Sequence, residues 1–171
     1  MRALLVVAAL GVSAPALAQP PATPPATPPA PRPPAVADPT VASAAAIQTL
    51  VAQAKAQRTN NQPLVSLLLA QGPGYVNRVD YRASVGPANL HEVENEIFYV
   101  LEGSGTLVTG GTLIEPTAPR NGNRNGARVE GGTAREVKAG DVMFVAAGTP
   151  HGFSAVNGLV VLSIHTQPGK P

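Results

Sequence analysis

The 171-residue sequence contains no cysteine, and its charges nearly cancel. The first absence excludes disulfide bonds, a thiol nucleophile and a metal site built on thiolates. A formal net charge of +2 is too small for the basic footprint that nucleic-acid binding requires, so no nucleic-acid partner is expected. No serine lies on a nucleophile elbow and no phosphate-cradling glycine loop is present. Stability must therefore come from an apolar core, and a small molecule is the expected partner.

The N-terminal part of the chain differs in composition from the rest. Met1-Arg2, a short apolar run and a small-x-small triplet ending at Ala18 form the pattern of a secretory signal peptide, and the run is too short to span a bilayer. We therefore expect residues 1–18 to be cleaved, leaving a periplasmic or secreted protein without an integral membrane segment. Residues 19–39 are rich in proline and alanine and are predicted to be a disordered or polyproline II linker, with a ligand for proline-recognising modules as the alternative.

The remaining chain changes from a helical to a β-type pattern. A helix is predicted over residues 40–61, with Asp38 as its N-cap and apolar residues recurring at helical spacing. Residues 62–167 carry short β-rich runs separated by glycine turns, which are typical of an antiparallel sandwich or barrel, and residues 168–171 form a tail. The predicted strands are 64–70, 75–83, 89–93, 97–101, 105–109, 135–137, 142–145, 152–155 and 159–165.

Two imidazoles and one carboxylate, on His91, Glu96 and His151, are the strongest candidates for chemistry. Asn89 and His91 are two residues apart and share one face of a strand, whereas Glu96 is an odd step away. A turn over residues 92–95 would place Glu96 at the start of the next strand, beside His91. The three side chains converge only if the strand that begins at His151 crosses the same barrel interior.

The surrounding residues resemble the motifs of the cupin superfamily. The family's first motif ends in Glu, six residues, Gly, which residues 96–103 match, and residues 140–151 match the second motif. Ala146 and Ala155 depart from the proline and asparagine of that second motif. The resemblance covers residues 62–167 and implies an all-β fold, an antiparallel double-stranded β-helix (jelly-roll or cupin barrel) with one N-terminal helix.

The resemblance also implies one divalent metal ion bound by His91, Glu96 and His151. Iron or manganese is expected, with zinc as the alternative, because a mixed nitrogen and oxygen ligand set suits several first-row ions. Asn89 stands where the family has its first histidine, and an amide oxygen is a weaker ligand than imidazole. We therefore expect Asn89 to orient water or substrate. The alternative is an inherited constellation that binds no metal and fills the barrel with hydrogen-bonded polar groups.

Two further features each allow two interpretations. His165, on the last predicted strand, is either an acid or base at the barrel mouth or a surface residue. The polar segment 115–132 is either a mobile lid whose arginines attract an anionic substrate or a solvated insertion between the motifs.

The function predicted from these features is that of a metal-dependent cupin enzyme of the cell envelope, a mononuclear dioxygenase-type oxidoreductase acting on a small organic acid or phenol. A metal-dependent isomerase or lyase is an alternative, although Phe98 replaces the tyrosine that cupin lyases of sulfonium substrates carry two residues after the metal glutamate. A non-catalytic module that binds a small molecule or sugar is the other alternative. The sequence is compatible with a homodimer, because the helix could pack on its own barrel or on a partner.

Overall fold

Residues 41–167 are described by the computed structural model, and within them the chain forms one helix followed by ten strands. The predicted signal peptide, linker and tail (residues 1–18, 19–39 and 168–171) lie outside the described residues. Within the described range, no helix is both long and apolar enough to cross a membrane. The elements are α1 (Ala44–Ala56), β1 (Leu64–Gly72), β2 (Tyr75–Arg82), β3 (Ala88–His91), β4 (Asn95–Thr109), β5 (Thr112–Ile114), β6 (Asn123–Gly126), β7 (Arg128–Glu130), β8 (Thr133–Lys138), β9 (Val142–Val145) and β10 (His151–Thr166).

Helix α1 is shorter than the 40–61 helix predicted from the sequence. It begins after Ser43, whose hydroxyl accepts a 3.1 Å hydrogen bond from the backbone N–H of Ala46 and so caps the first turn. The sequence predicts Asp38 for this role, and that residue lies outside the described residues. The helix ends at Ala56, with Gln57 as its C-cap. It could not extend to residue 61, because Asn60 and Asn61 have φ values of 49° and 57°, a left-handed conformation that a right-handed helix cannot continue.

Eight of the ten strands form a curled antiparallel sheet, a half-barrel, and β5 and β7 form a separate two-stranded sheet. This architecture confirms the predicted all-β jelly-roll fold. Strands β4 and β10 pair along most of their length, from His151 opposite Thr109 to Thr166 opposite Asn95. Each of them was predicted as two shorter strands, and this division was wrong. Gly103 in β4 and Gly158 in β10 have φ values of 71° and 56°, so the backbone bends at these glycines while the pairing resumes on either side.

The segment 115–132 contains paired strands that the sequence analysis missed. Strand β6 pairs with β3, and β7 pairs with β5, so this segment is partly sheet rather than a purely solvated insertion. Arg124 and Arg128 each form a 2.9 Å ion pair, with Glu92 and Glu130 respectively. Two of the three arginines of the segment are thus paired with carboxylates of the chain, which weakens the case for an arginine-rich lid that attracts anions.

Two apolar clusters position the strands. One fills the barrel, and the other lies between α1 and the outer face of the sheet, where burial of Leu50 and Val51 contributes about 1.5–3 kcal/mol each. Phe98 is 1% exposed and Tyr99 is 39% exposed, so β4 alternates as expected for a strand whose Glu96 faces inward. The barrel cluster comprises Phe98, Val100, Leu107, Val137, Met143, Val145, Phe153, Leu159 and Val161.

Candidate metal centre

All three histidines of the chain converge on the carboxylate of Glu96. His91 is the last residue of β3, Glu96 is the second residue of β4, and the turn predicted over residues 92–95 joins them. His151 opens β10, directly after the turn that ends in Pro150, while His165 lies near the end of the same strand. Because β10 wraps around the barrel against β4, its two ends approach one carboxylate from different sides.

The distances around Glu96 are those of a compact polar cluster. Its Oε2 atom lies 2.8 Å from Nε2 of His151 and 3.2 Å from Nε2 of His91. Its Oε1 atom accepts a 2.7 Å hydrogen bond from the Ser163 hydroxyl and lies 3.3 Å from Nε2 of His165. Both carboxylate oxygens are therefore engaged, although the residue is only 3% exposed.

In each of the two predicted histidine ligands, the ring nitrogen that does not face Glu96, Nδ1, faces a hydrogen-bond acceptor. Nδ1 of His151 donates to the carbonyl oxygen of Thr149 at 2.9 Å, and Nδ1 of His91 donates to Oδ1 of Asn123 at 2.6 Å. With a proton fixed on each Nδ1, a neutral ring presents a bare lone pair at Nε2. Two such lone pairs beside a carboxylate oxygen require positive charge between them, which either protons or a metal ion supply.

Burial and hydrogen bonding have opposite effects on the pKa values of this cluster. Burial alone would raise the pKa of Glu96, but hydrogen bonds from His151, His165 and His91 outweigh it and hold that pKa well below its ordinary value. For His91, burial lowers the pKa, while the hydrogen bonds to Glu96 and Asn123 raise it by more, so the net shift is upward. The raised pKa of His91 favours a proton on this imidazole, and a cation bound beside Glu96 would compete with that proton.

The donor geometry fits a first-row divalent ion. Neighbouring ligand atoms that each lie about 2.0–2.2 Å from one ion are separated from each other by about 2.8–3.6 Å in octahedral or tetrahedral geometry. The observed separations of Glu96 Oε2 from the two Nε2 atoms, 2.8 and 3.2 Å, are close to this range. His91, Glu96 and His151 offer ligand atoms that all lie within 4.8 Å of one another. This set of three residues is called the inner triad below.

The two other predicted site residues have different surroundings. Asn89 lies directly opposite His151 in the β3–β10 pairing, so it faces the same side of the sheet, but its side chain makes no hydrogen bond to any residue within 41–167. Its role as an orienting group stays a prediction. His165 is not a surface residue: its side chain is 17% exposed, and its ring centroid lies 4.8 Å from that of His91.

Sequence reasoning missed Asn123 and Ser163. Ser163 is two residues before His165 on one strand, so strand parity alone places both on the same face. Asn123 had no such signal, because it lies in a glycine- and asparagine-rich segment without alternation and reaches His91 only through the β3–β6 pairing.

A buried charged pair lies on the inward face of β2. Asp80 and Arg82 are opposite the core residues Val161 and Leu159, and their side chains are 3.5 Å apart. Burial raises the pKa of Asp80, and the charge of Arg82 opposes this shift without reversing it. Arg78, two residues earlier on the strand, lies opposite Ser163. The barrel interior beside the candidate metal centre therefore carries two arginines on one strand face.

Two cavities differ in size and in position, one beside this centre and one away from it. A cavity of about 120 Å³ is lined by Tyr75, Glu94 and His165 among others. A cavity of about 540 Å³ is lined by residues of 104–106, 136–138 and 155–157 and contains none of the histidines. The smaller cavity is the one that reaches the candidate site.

Comparisons with known proteins concern the fold. A family model described as Cupin matches residues 53–170. No curated protein gives a significant match.

Solved structures that resemble the chain include KdgF from Halomonas sp., which is 17% identical with a TM-score of 0.47, the match covering 66% of this chain and 87% of that one. The hydroxypropylphosphonic acid epoxidase from S. wedmorenis is 22% identical with a TM-score of 0.46, over 61% of this chain and 51% of that one. A predicted oxalate decarboxylase from Thermotoga maritima is 21% identical with a TM-score of 0.45, over 61% and 81%. At these low identities and TM-scores, the neighbours give no information about the chemistry of this chain.

Proposed function

The chain belongs to the cupin family, and from that premise we propose that it is a metal-dependent enzyme of the cell envelope, a mononuclear dioxygenase-type oxidoreductase that acts on a small organic acid. The observation that carries the proposal is the inner triad, in which two imidazoles with fixed Nδ1 protons and one buried carboxylate face a common point. Two histidines and one carboxylate with open positions form the ligand set of non-haem iron oxygenases.

A divalent ion held by the inner triad would supply binding positions for dioxygen and substrate. The side chains around it supply orientation and exclusion of water. Thr149 and Asn123 hold the two imidazoles in one tautomer, and Ser163 donates to the carboxylate oxygen that faces away from them. Phe98 packs edge-on against His151, with ring centroids 6.1 Å apart, and forms an apolar wall of the site.

An acidic substrate is favoured by the charge on the inward face of β2. Arg78 and Arg82 both face the barrel interior, where two carboxylates, Asp80 and Glu96, lie near them. Burial raises the pKa of Asp80, which weakens this carboxyl as a counter-charge. A substrate carboxylate would complement the remaining positive charge. The cavity of about 120 Å³ beside His165 suits a compact molecule, although it is lined by Glu94 and not by either arginine.

The envelope location is supported by the signal-peptide pattern of residues 1–18. Expression of the full chain in a bacterial host followed by fractionation and N-terminal sequencing tests it. We expect mature protein in the periplasm or medium that begins at Gln19. Uncleaved protein confined to the cytoplasm would refute the location without touching the proposed chemistry.

Metal analysis after prolonged dialysis tests the inner triad. We expect one iron or manganese ion per wild-type chain, and loss of this tightly bound ion in His91→Ala and in His151→Ala. Glu92→Gln is the matched control, because Glu92 is an exposed carboxylate one residue from His91 and pairs with Arg124. A folded wild-type protein that retains no metal after loading with either ion would refute the proposal.

Oxygen uptake tests the reaction class. Metal-loaded protein is assayed with a panel of small carboxylic acids and phenols, each acid beside its neutral amide. We expect uptake with an acid, weaker uptake with its amide, and none in His151→Ala. Tight ligand binding without uptake across the panel would instead favour the non-catalytic binding module.

A further inference from the structure

A second group of potential ligands lies beside the inner triad, towards the solvent. His91, Glu94 and His165 offer ligand atoms that all lie within 4.8 Å of one another. Glu94 belongs to the turn between β3 and β4, and His165 lies near the end of β10. This set of three residues is called the rim triad. It contains two imidazoles and one carboxylate, the same donor types as the inner triad.

The ring of His165 is held with one nitrogen facing the rim. Its Nε2 atom lies 3.1 Å from the Ser163 hydroxyl and 3.3 Å from Oε1 of Glu96, so this side of the ring faces the barrel interior. Its Nδ1 atom lies 3.3 Å from Oε2 of Glu94. That nitrogen is buried and has no hydrogen-bond partner among residues 41–167. A buried nitrogen without a partner costs free energy, which a bound cation beside the carboxylate would offset.

The rim triad is accessible from solvent. Glu94 and His165 both line the cavity of about 120 Å³, and the Glu94 side chain is 28% exposed. An ion can therefore reach the Glu94 carboxylate from this cavity, although Nδ1 of His165 beside it is itself buried. The inner triad is less accessible, since Glu96 is 3% and His151 2% exposed.

We propose that the rim triad of His91, Glu94 and His165 is a second binding position for a first-row divalent cation, alternative to the inner triad. The two positions are alternatives because both use His91, whose Nδ1 is occupied by Asn123 and whose Nε2 alone is available. The chain thus binds one cation at a time, either at the buried position or at the rim. This inference rests on the rim side chains and holds whether or not the protein oxidises an organic acid.

Titration with Co²⁺ of protein first stripped with a chelator tests the rim position. Binding is measured by competition with a chromogenic chelator and by the visible absorption of the bound ion. His151→Ala removes a ligand of the inner triad alone, and His151→Leu is the second variant, since leucine fills the space beside Phe98. We expect both variants to bind one Co²⁺ more weakly than wild type. Addition of Glu94→Gln should weaken this residual binding by about tenfold or more, and His165→Gln should do the same.

The matched control is Glu92→Gln in the same His151→Ala background, which removes a neighbouring carboxylate and should leave residual binding unchanged. Thermal unfolding of each metal-free variant identifies the variants that fold. If folded His151→Ala and His151→Leu bind no Co²⁺, or if Glu94→Gln leaves their residual binding unchanged, the rim position is refuted. Wild-type binding that depends on Glu94 but is insensitive to His151→Ala would support the rim position while refuting the inner triad, so the two proposals fail separately.

Discussion

Replacement of Asn123 by leucine should weaken metal binding although Asn123 is not itself a proposed ligand. Its Oδ1 atom accepts the 2.6 Å hydrogen bond from Nδ1 of His91 and so keeps the proton away from Nε2. In Asn123→Leu the proton can move to Nε2, where it pairs with Glu96, and metal binding must first return it to an Nδ1 that has lost its acceptor. Such supporting hydrogen bonds are worth about 10–100-fold in metal affinity.

A second estimate of the magnitude agrees with the first. The His91 side chain is 14% exposed, so the Nδ1–H group has little access to water once its acceptor is gone. A buried donor left without a partner costs about 1–3 kcal/mol. A 10–100-fold loss of affinity corresponds to about 1.4–2.7 kcal/mol.

The assay is Co²⁺ competition against a chromogenic chelator at fixed pH. Asn123→Asp should bind at least as tightly as wild type, because a carboxylate also accepts from Nδ1 and makes the imidazole a stronger ligand. Asn125→Leu is the control: Asn125 lies two residues along the same short strand, and its side chain is exposed. An Asn123→Leu affinity within about twofold of wild type would refute the reasoning, since the predicted effect is 10–100-fold. An equal loss in Asn125→Leu would also refute it.

Two further predictions concern stability. Gly103→Ala should destabilise the fold more than Gly140→Ala, as measured by urea unfolding. Both glycines have positive φ, which costs alanine about 1–2 kcal/mol, but only at Gly103 would the added Cβ also strike backbone carbonyl oxygens, worth about 1–3 kcal/mol more. The second prediction concerns the metal-free protein, in which Glu96→Gln should lower the free energy of unfolding. The difference from wild type should be largest between about pH 4.5 and pH 6.5, which are the ordinary pKa values of glutamate and histidine.

The sign of the pH effect follows from the two shifts. The lowered pKa of Glu96 gives stability that is present above pH 4.5 and is lost as the pH falls through the folded-state pKa. The raised pKa of His91 gives stability that is complete below pH 6.5 and is lost as the pH rises through the folded-state pKa. A difference that does not vary with pH would contradict this account. Equal destabilisation by the two glycine substitutions would contradict the steric argument.

Much of the fold was predictable because its signals are local. Glycine turns between short β-rich runs predicted an antiparallel all-β protein, and the spacing of Glu96 and His151 within two motifs identified the family. The division of β4 and β10 failed because a glycine with positive φ usually marks a turn, whereas here long-range pairing of the two strands continues past Gly103 and Gly158. The predicted start of the helix was wrong because Asp38-Pro39 and Ser43 both have the sequence pattern of a cap, and local pattern alone does not choose between two such candidates.

The candidate site was predictable in part. Parity required a turn between His91 and Glu96, and the structure has one. The inward position of His165 follows from its pairing opposite Glu96, a contact between residues 69 positions apart that no local pattern encodes. Asn123 reaches His91 through another long-range pairing, from a segment whose composition predicted only a loop.

The sequence by itself determined the ligand types, the absence of thiolate chemistry and the parity that places side chains on strand faces, because each depends only on residue identity and short spacing. Only the tertiary structure decided which carboxylate the three histidines share, which acceptors hold their outer nitrogens, and that His165 points one nitrogen towards Glu94 at the rim. These contacts depend on the curl of β10 around the barrel, and this curvature arises from the pairing of β10 with β4 along most of its length together with the bends at Gly103 and Gly158.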